Sequence, residues 1–552
     1  MTTPDIWTPR PADTPLSADD ASLIEALIPS EFLGARNPFT RICDFTSGKR
    51  DAAADDVFKT VDTSRVVPSQ GAPRGRMMAP ATGTRGGRYP QQQPLRDPKS
   101  GRLLPQAQQL ARMQPTVQAP GTGPRQQQPQ GRQSQYYQQQ PTVQREWSIP
   151  LKSEWEMLRE IPLIQLSKLT VDLDQVKAED LVWCGELRDF DKSFDRVIAK
   201  TGGKDLKKAD GTSFYNVTSA QDQVLEQLLQ RTVAATANAA DSPITVACTD
   251  KILSVLMAAS RSVNSWDLIV TRVGNAILLD KRDGSPVDLL TVNETAVDAP
   301  TDEVPAEGQT LINTATRLAH EATMLNHNFS QQVLSTVGEA ESLQYPNPFA
   351  DDGEKVASGA YRYRKVLLPS KAAGATGKDL VVLIRTEVNA KQESPEGKRY
   401  LLARALNEYS GNVGSSWRNR IDAQRGSILG TEIKNNSFKF GRWVAEASLA
   451  DCDTLKLGYV SRKRNEDAWS HSLLNVQTLK TGEIAQQIGF SMSNAWGVVY
   501  AIVDLILSQP SEDTGRYLVV RDPKKSALRL YQVPWEEFEG IDANEDEGEE
   551  ED

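Results

Sequence analysis

The sequence predicts an α+β fold, carried by one large mixed domain over residues 146–535. Three observations lead there. Strand-like apolar runs are interspersed with stretches of helical period, without the strict βαβ rhythm of a doubly wound sheet. A Gln/Pro/Gly/Arg-rich tract precedes this region and an acidic run follows it, and neither has much to bury. At 552 residues the chain exceeds one compact core, so segments of different character are expected around it.

Residues 1–66 read as a partner-docking segment. SADDASLIEALIPSEF makes one short helix, capped by Ser17 or Asp19, with Leu23, Ile24, Leu27 and Ile28 as its apolar stripe. It has no core of its own and orders on a partner. Residues 67–145 read as a disordered basic tether. Its stretch 70–145 holds ten Arg and one Lys against one acid. That field suits either salt-sensitive contact with RNA or a plain linker. The tail 536–552, with eleven acids and no base, reads as disordered and solubilising. The net charge of -10 therefore conceals segregation by segment.

Within 146–535 the periodicity predicts helices at 219–241, 249–265, 313–336, 420–448 and 484–508. Strands are predicted in SWDLIVTRVGNAILLDKR, YRYRKVLLP, DLVVLIRTEV and LKLGYVSRK, with a tight turn at Gly274–Asn275. GRYLVVRDPKKSALRLYQV reads as a hairpin about Pro523 and the two lysines after it. The apolar run Ala495–Leu507 is too short to span a bilayer and contains Asp504, so it reads as a buried helix. The N-terminus has no apolar signal core, and Cys43, Cys184, Cys248 and Cys452 form no CxxC pair. A cytoplasmic protein with no membrane association is expected.

Several chemistries are excluded. There is no GxxxxGK[ST] loop, no GxGxxG after a strand, no HExxH and no GxSxG. His320, His327 and His471 are too few for a histidine-rich metal site, and no cofactor is expected. One pattern hints at a metal-dependent nuclease. Glu387 ends an apolar strand in VVLIRTEVN, and Glu432 with Lys434 follows apolar residues in ILGTEIKNN. An acid on one strand with E-x-K on another can place two carboxylates on magnesium and a lysine near a phosphate. The second position of the first motif is Asn389, whose neutral amide binds Mg²⁺ weakly. These four residues read either as a vestigial nuclease motif or as strand-end polar groups.

Two helix faces are candidates for binding. Asp250, Ser254, Met257, Arg261 and Asn264 form one stripe on 249–265, with Thr249 or Asp250 as cap. It is either a solvated face or the wall of a groove for an extended chain such as RNA. Thr323, Asn326 and His327 lie at i, i+3 and i+4 on the helix in EATMLNHNFSQQ. They form either a satisfied polar network in the core or a surface that offers donors and acceptors to a base. PVDLLTVNETAVDAPTDEVPAEGQT is long for a loop, and its second half is acidic and Pro-rich. It reads either as a negative flap that gates a phosphate-binding groove or as a plain insertion.

SRSVNSWDLIVTRVG, DKRDGSPVDLLTVNETA, EATMLNHNFSQQ, YPNPFADD, YRYRK, QRGSILGTEIKNNSFKFGRW and LKLGYVSR resemble the D-subunit family of eukaryotic translation initiation factor 3, over about 146–540. The N-terminal 145 residues match less well, apart from VFKTVDTSRV. The resemblance implies a fold similar to DXO-type decapping nucleases and binding of the 5′ cap of certain messages and its adjacent nucleotides, without catalysis. It implies cap contacts at Asp250, Val263, Asn264, Thr323, Asn326 and His327. Position 264 is Asn where relatives can carry tyrosine, which removes a possible stacking ring. An RNA gate over about 286–300 is implied, with Pro286, Asp288, Glu294, Asp298 and Pro300. Implied partners are the E-type neighbour in the same factor, through the N-terminal region, and the 40S ribosomal subunit. A purely architectural role with a vestigial groove and a residual decapping nuclease are the alternatives.

Overall fold

A computed structural model describes residues 145–538, apart from 211, 238–240, 303–310, 351–353, 375–376, 396, 410–415 and 510–513. The docking segment, the tether before residue 145 and the tail beyond 538 lie outside the described residues. The strands, in chain order, are β1 (Glu156–Pro162), β2 (Lys177–Leu187), β3 (Lys204–Leu206), β4 (Ile244–Thr249), β5 (Asp267–Val273), β6 (Ala276–Asp280), β7 (Glu341–Ser342), β8 (Ala360–Leu368), β9 (Leu380–Val388), β10 (Ala390–Ser394), β11 (Gly397–Asn407), β12 (Thr454–Arg462), β13 (His471–Lys480), β14 (Thr514–Arg521) and β15 (Ala527–Val533). The principal helices are α1 (Gln223–Thr236), α2 (Asp250–Met257), α3 (Ala315–Gln332), α4 (Trp417–Asn435), α5 (Ser437–Leu449) and α6 (Met492–Leu507).

The mixed α+β class is as expected. A 10-stranded sheet runs β1-β15-β14-β5-β6-β4-β9-β8-β2-β7, and a 5-stranded sheet runs β10-β11-β12-β13-β3. Both are mixed: β4 runs parallel to β6 and β9, and β11 parallel to β12. Strand alternation explains how the larger sheet is covered. Ile244, Val246 and Cys248 of β4, with Leu380, Val382 and Ile384 of β9, enter the main core under α2, α5 and α6. Ala247, Val381 and Leu383 face the other way, into a core with Leu225 and Leu229 of α1. Glycine at position 458 of LKLGYVSR has a packing cause: a Cβ there would meet the ring of Phe329 on α3 at 2.6 Å.

YRYRK is legible in the same terms. Arg362 and Arg364 share one face of β8 and donate to the carbonyls of Ala450 and Leu449, each at 2.6 Å. Two guanidiniums thus satisfy the open carbonyls at the C-terminus of α5, where the helix dipole favours positive charge.

Three expected helices are interrupted inside their predicted ranges. The one predicted over 249–265 ends at Met257, followed by a 3₁₀ turn at Ala259–Arg261. Ala258 closes it, with φ of -95° and ψ of 5°, and past the turn the Ser262 hydroxyl donates to Ala259 O at 2.8 Å while Arg521 donates to the Ser262 carbonyl. Asn264 therefore leaves the stripe of Asp250, Ser254 and Met257, and α2 is buried rather than solvated. The helix predicted over 420–448 is divided at Asn436, whose φ of -129° and ψ of 42° are non-helical. The one over 484–508 is divided at Gly489, with an angle of 81° between its halves. The run Ala495–Leu507 lies in α6 and is mostly buried. No single helix among the described residues is long and apolar enough to cross a membrane.

Candidate functional site

Where β9 runs into β10, the chain passes from the larger sheet to the smaller, and an open cleft of about 140 Å³ lies beside the crossing. Glu387 and Asn389 come from the crossing itself, Arg404 from β11, Lys251 from the first turn of α2, and Arg442 and Glu446 from α5. Helix α3 closes one side with Thr323, Asn326 and His327, and Phe214 and Tyr215 lie on a loop across the cleft. Thr249 caps α2 through Ile252 N and so fixes the position of Lys251.

The motif LNHNFSQQ uses its amides to dock α3 on every side. Asn326 donates to Ala405 O at 2.9 Å and accepts from Ala405 N at 3.0 Å. Gln331 makes the same paired contact with Ser358, and Asn328 accepts from Ala209 N. Gln332 accepts from Lys207 N and donates to Asp205 O. The Thr323 hydroxyl donates to Ala319 O and accepts from Leu290 N. Uncharged amides suit this work because each offers a donor and an acceptor to a backbone that presents both. His327 is left over. Its ring stacks on Phe214, with centroids 4.3 Å apart at 11°, and its buried Nδ1 has no partner. Burial, followed by the Lys251 charge, lowers its pKa to about 3, so the ring is neutral near pH 7.

The charged residues are paired. Lys251 Nζ lies 2.8 Å from Glu387, and Arg404 lies 2.9 Å from Glu446 and 3.0 Å from the Asn389 carbonyl oxygen. Burial alone would raise the Glu387 carboxyl, but Lys251 outweighs it and the group titrates below its usual range. Asp250 lies behind this row and accepts from Glu387 N at 2.9 Å. Its burial, together with the Glu387 and Glu446 charges, raises it to about 7. Among the described residues, no three His, Cys, Asp or Glu side chains group as a metal-binding set.

Sequence patterns found part of this. Thr323, Asn326 and His327 come together as expected, with Asp250 and Glu387 adjacent. Val263 lines neither this cleft nor its neighbour, and Asn264 lines a second cavity. Glu432 and Lys434 correct the expectation. They lie on α4, inside the helix predicted over 420–448 and not on the second strand that the nuclease pattern requires, and neither lines the cleft. Ile428, Leu429 and Glu432 recur at helical spacing and are buried, so the apolar residues before Glu432 belong to a helix face. The Glu432 carboxylate accepts from Asn436 and does not meet a metal partner on Glu387. Lys251, Arg404, Arg442, Glu446 and Phe214 were missed. No short motif joins residues so far apart in the chain.

Part of the segment 286–300 lies beside the cleft. Pro286–Asp288 forms a 3₁₀ turn capped by Ser285, and Asp288 pairs with Lys281. Asn293 and Asn436 exchange hydrogen bonds at 2.8 and 3.1 Å, and Thr295 N donates to Asn435 O. Glu294 is buried and raised to about 7 by that burial. Asp298 is exposed and Pro300 half-buried, while 303–310 lie outside the described residues. Fewer bare negative charges face outward from 286–300 than its acids suggest.

The fold and the cleft define a class: a mixed α+β domain with an open cleft in which cations neutralise the acids. The model of the family eukaryotic translation initiation factor 3 subunit 7 matches residues 34–532. The D-2 form of the factor's D-type chain in Drosophila erecta is 40% identical over 413 residues, covering 74% of this chain and 69% of that protein. The D-type chain of Arabidopsis thaliana is 38% identical over 393 residues, covering 71% and 62%. The chain belongs to this family, the D-type subunits of eukaryotic translation initiation factor 3. Among solved structures, Rai1 of Scheffersomyces stipitis aligns with a TM-score of 0.39 at 11% identity, over 70% of this chain and 94% of that one. K. lactis Dxo1 in complex with manganese aligns at 0.37 and 12%, over 69% and 98%. At these scores neither alignment bears on chemistry.

Proposed function

We propose that the chain is a non-catalytic component that holds the 5′ cap of a messenger RNA in the cleft beside His327. It does so in the cytoplasm, within initiation factor 3 on the 40S ribosomal subunit, with residues 1–66 docked on the E-type neighbour. The observation that carries this reading is the His327 ring. It is neutral, stacked on Phe214, and has a buried ring nitrogen with no partner, beside an open cleft. Arg442 brings positive charge to the same cleft for phosphate. Non-catalysis is supported by the pairing of Glu387 with Lys251 and of Glu446 with Arg404, where hydrolysis would need a metal ion.

One observation favours an architectural role instead. The polar atoms of Thr323 and Asn326 are engaged by the protein's own backbone, so they act as supports for His327 rather than as readers of a base. The test is ultraviolet crosslinking of cap-labelled RNA to the full chain. His327→Ala should remove the crosslink with the fold intact. An undiminished crosslink would remove this site.

A further inference from the structure

The turn between β12 and β13 holds out Trp469, at 48% exposure the only exposed aromatic side chain among the described residues. The turn has its own hydrogen bonds. The Asp467 carboxylate accepts from Trp469 N at 2.8 Å and from Ser470 N at 3.2 Å, and Lys463 N donates to Ser470 O at 2.8 Å. Strand β3 pairs Leu206 with His471, and Lys208 just beyond it places its ammonium 5.0 Å from the centre of the Trp469 ring. From there the chain follows α3 to the cleft. Lys207 N donates to Gln332, Ala209 N donates to Asn328 one helical turn away, and Phe214 stacks on His327. Lys355 reaches the same line through Asp210 O. Lys207, Lys208 and Lys355 are exposed along it, with Arg464 on the turn, against Asp210 and Glu466. Asp205 is paired with Lys463 at 2.8 Å, and the Asp467 carboxylate is committed to the turn.

A rigidly held ring beside a row of lysines has the chemistry of a single-strand site. Unpaired bases stack on the ring, and phosphates meet the ammonium groups. Every base has a flat face, so the ring grips a strand without reading its sequence. A duplex keeps its bases covered by their neighbours and gains nothing from the ring. An apolar protein surface would cover the ring but leave the lysines unused. We propose that Trp469 is a stacking platform for an unpaired base of an RNA strand, with Lys207, Lys208 and Lys355 on the phosphates, and that the strand runs between this platform and the cleft. The platform stands by itself; the continuation of the strand into the cleft rests on the function proposed above.

The test is equilibrium binding of the full chain, at physiological salt, to capped and uncapped RNA of about ten nucleotides, repeated on Trp469→Ala, Trp469→Phe and Lys208→Gln. Trp469→Ala should weaken both RNAs about tenfold, with thermal unfolding within a few degrees of the parent. Trp469→Phe keeps a smaller ring and should recover most of the loss. Lys208→Gln should make binding less sensitive to salt. With 4-thiouridine in the RNA, the crosslinks should map to residues 463–470. Affinity indifferent to Trp469→Ala overturns the platform, and so does a loss that Trp469→Phe leaves unrecovered. If Trp469→Ala releases the chain from its fellow subunits while RNA affinity is unchanged, the turn is a protein contact and the platform falls. Trp469-dependent binding of the uncapped RNA, with no preference for a methylated cap, keeps the platform and overturns the cap reading. A preference for the methylated cap that needs His327, with both RNAs indifferent to Trp469, does the reverse.

Discussion

The side-chain amide of Asn326 occupies both backbone hydrogen-bonding groups of Ala405, the carbonyl at 2.9 Å and the N–H at 3.0 Å, and so joins α3 to β11 as another strand residue would. Asn326→Ala leaves both groups buried and unpaired. The expected loss of stability is about 2–6 kcal/mol, from roughly 1–3 kcal/mol for each orphaned group. Urea unfolding checks it. A midpoint equal to the parent's would mean that the pairing holds nothing together. Loss of RNA binding in any variant at this position therefore reports folding before recognition.

Glu432 should set part of the pH dependence of stability. Burial raises its carboxyl from 4.5 to about 7, so the folded chain holds a proton that the unfolded chain releases between those values. Its stabilising contribution is complete below pH 4.5 and is lost as pH rises through about 7. Glu432→Gln, which cannot ionise, should lose less stability than the parent between pH 5 and pH 8. Equal losses in chemical denaturation at the two pH values would contradict the assignment.

Asn436 should hold the segment 293–296. It is fully buried, and it both donates to and accepts from Asn293. Asn436→Ala should speed amide exchange at residues 293–296 by at least about tenfold, the equivalent of roughly 1.4 kcal/mol of local stability. If the segment gates the cleft, the association of capped RNA should accelerate as well. Unchanged exchange would show that the segment is held by other contacts.

Restoring an acid at position 389 should not create a nuclease. Asn389→Asp keeps the acceptor for Ala403 N and Arg404. It leaves Lys251 on Glu387 and Arg404 on Glu446. Capped RNA incubated with the variant and Mg²⁺ or Mn²⁺ should stay intact. Metal-dependent shortening would establish the enzymatic alternative.

Local chemistry was the legible part. Apolar alternation marked β4's neighbours β6 and β9, and Gly274, with φ of 58°, stands at the expected turn. The polar face of α3 was visible because three residues at helical spacing need no tertiary information. What those residues touch was not visible. Ala405 lies 79 positions from Asn326 and is an ordinary alanine in the sequence. Glu432 misled because its E-x-K spacing matches a nuclease strand motif although it falls inside the helix predicted over 420–448. The placement of Lys251 against Glu387, and of Phe214 against His327, depends on contacts between distant segments that no local pattern records.

The most direct measurement is equilibrium binding of one short RNA to the full chain in three forms: with a methylated cap, with an unmethylated cap, and uncapped. Tighter binding of the methylated form by at least about tenfold, or 1.4 kcal/mol, is the predicted result. Equal affinity for the three forms would contradict it.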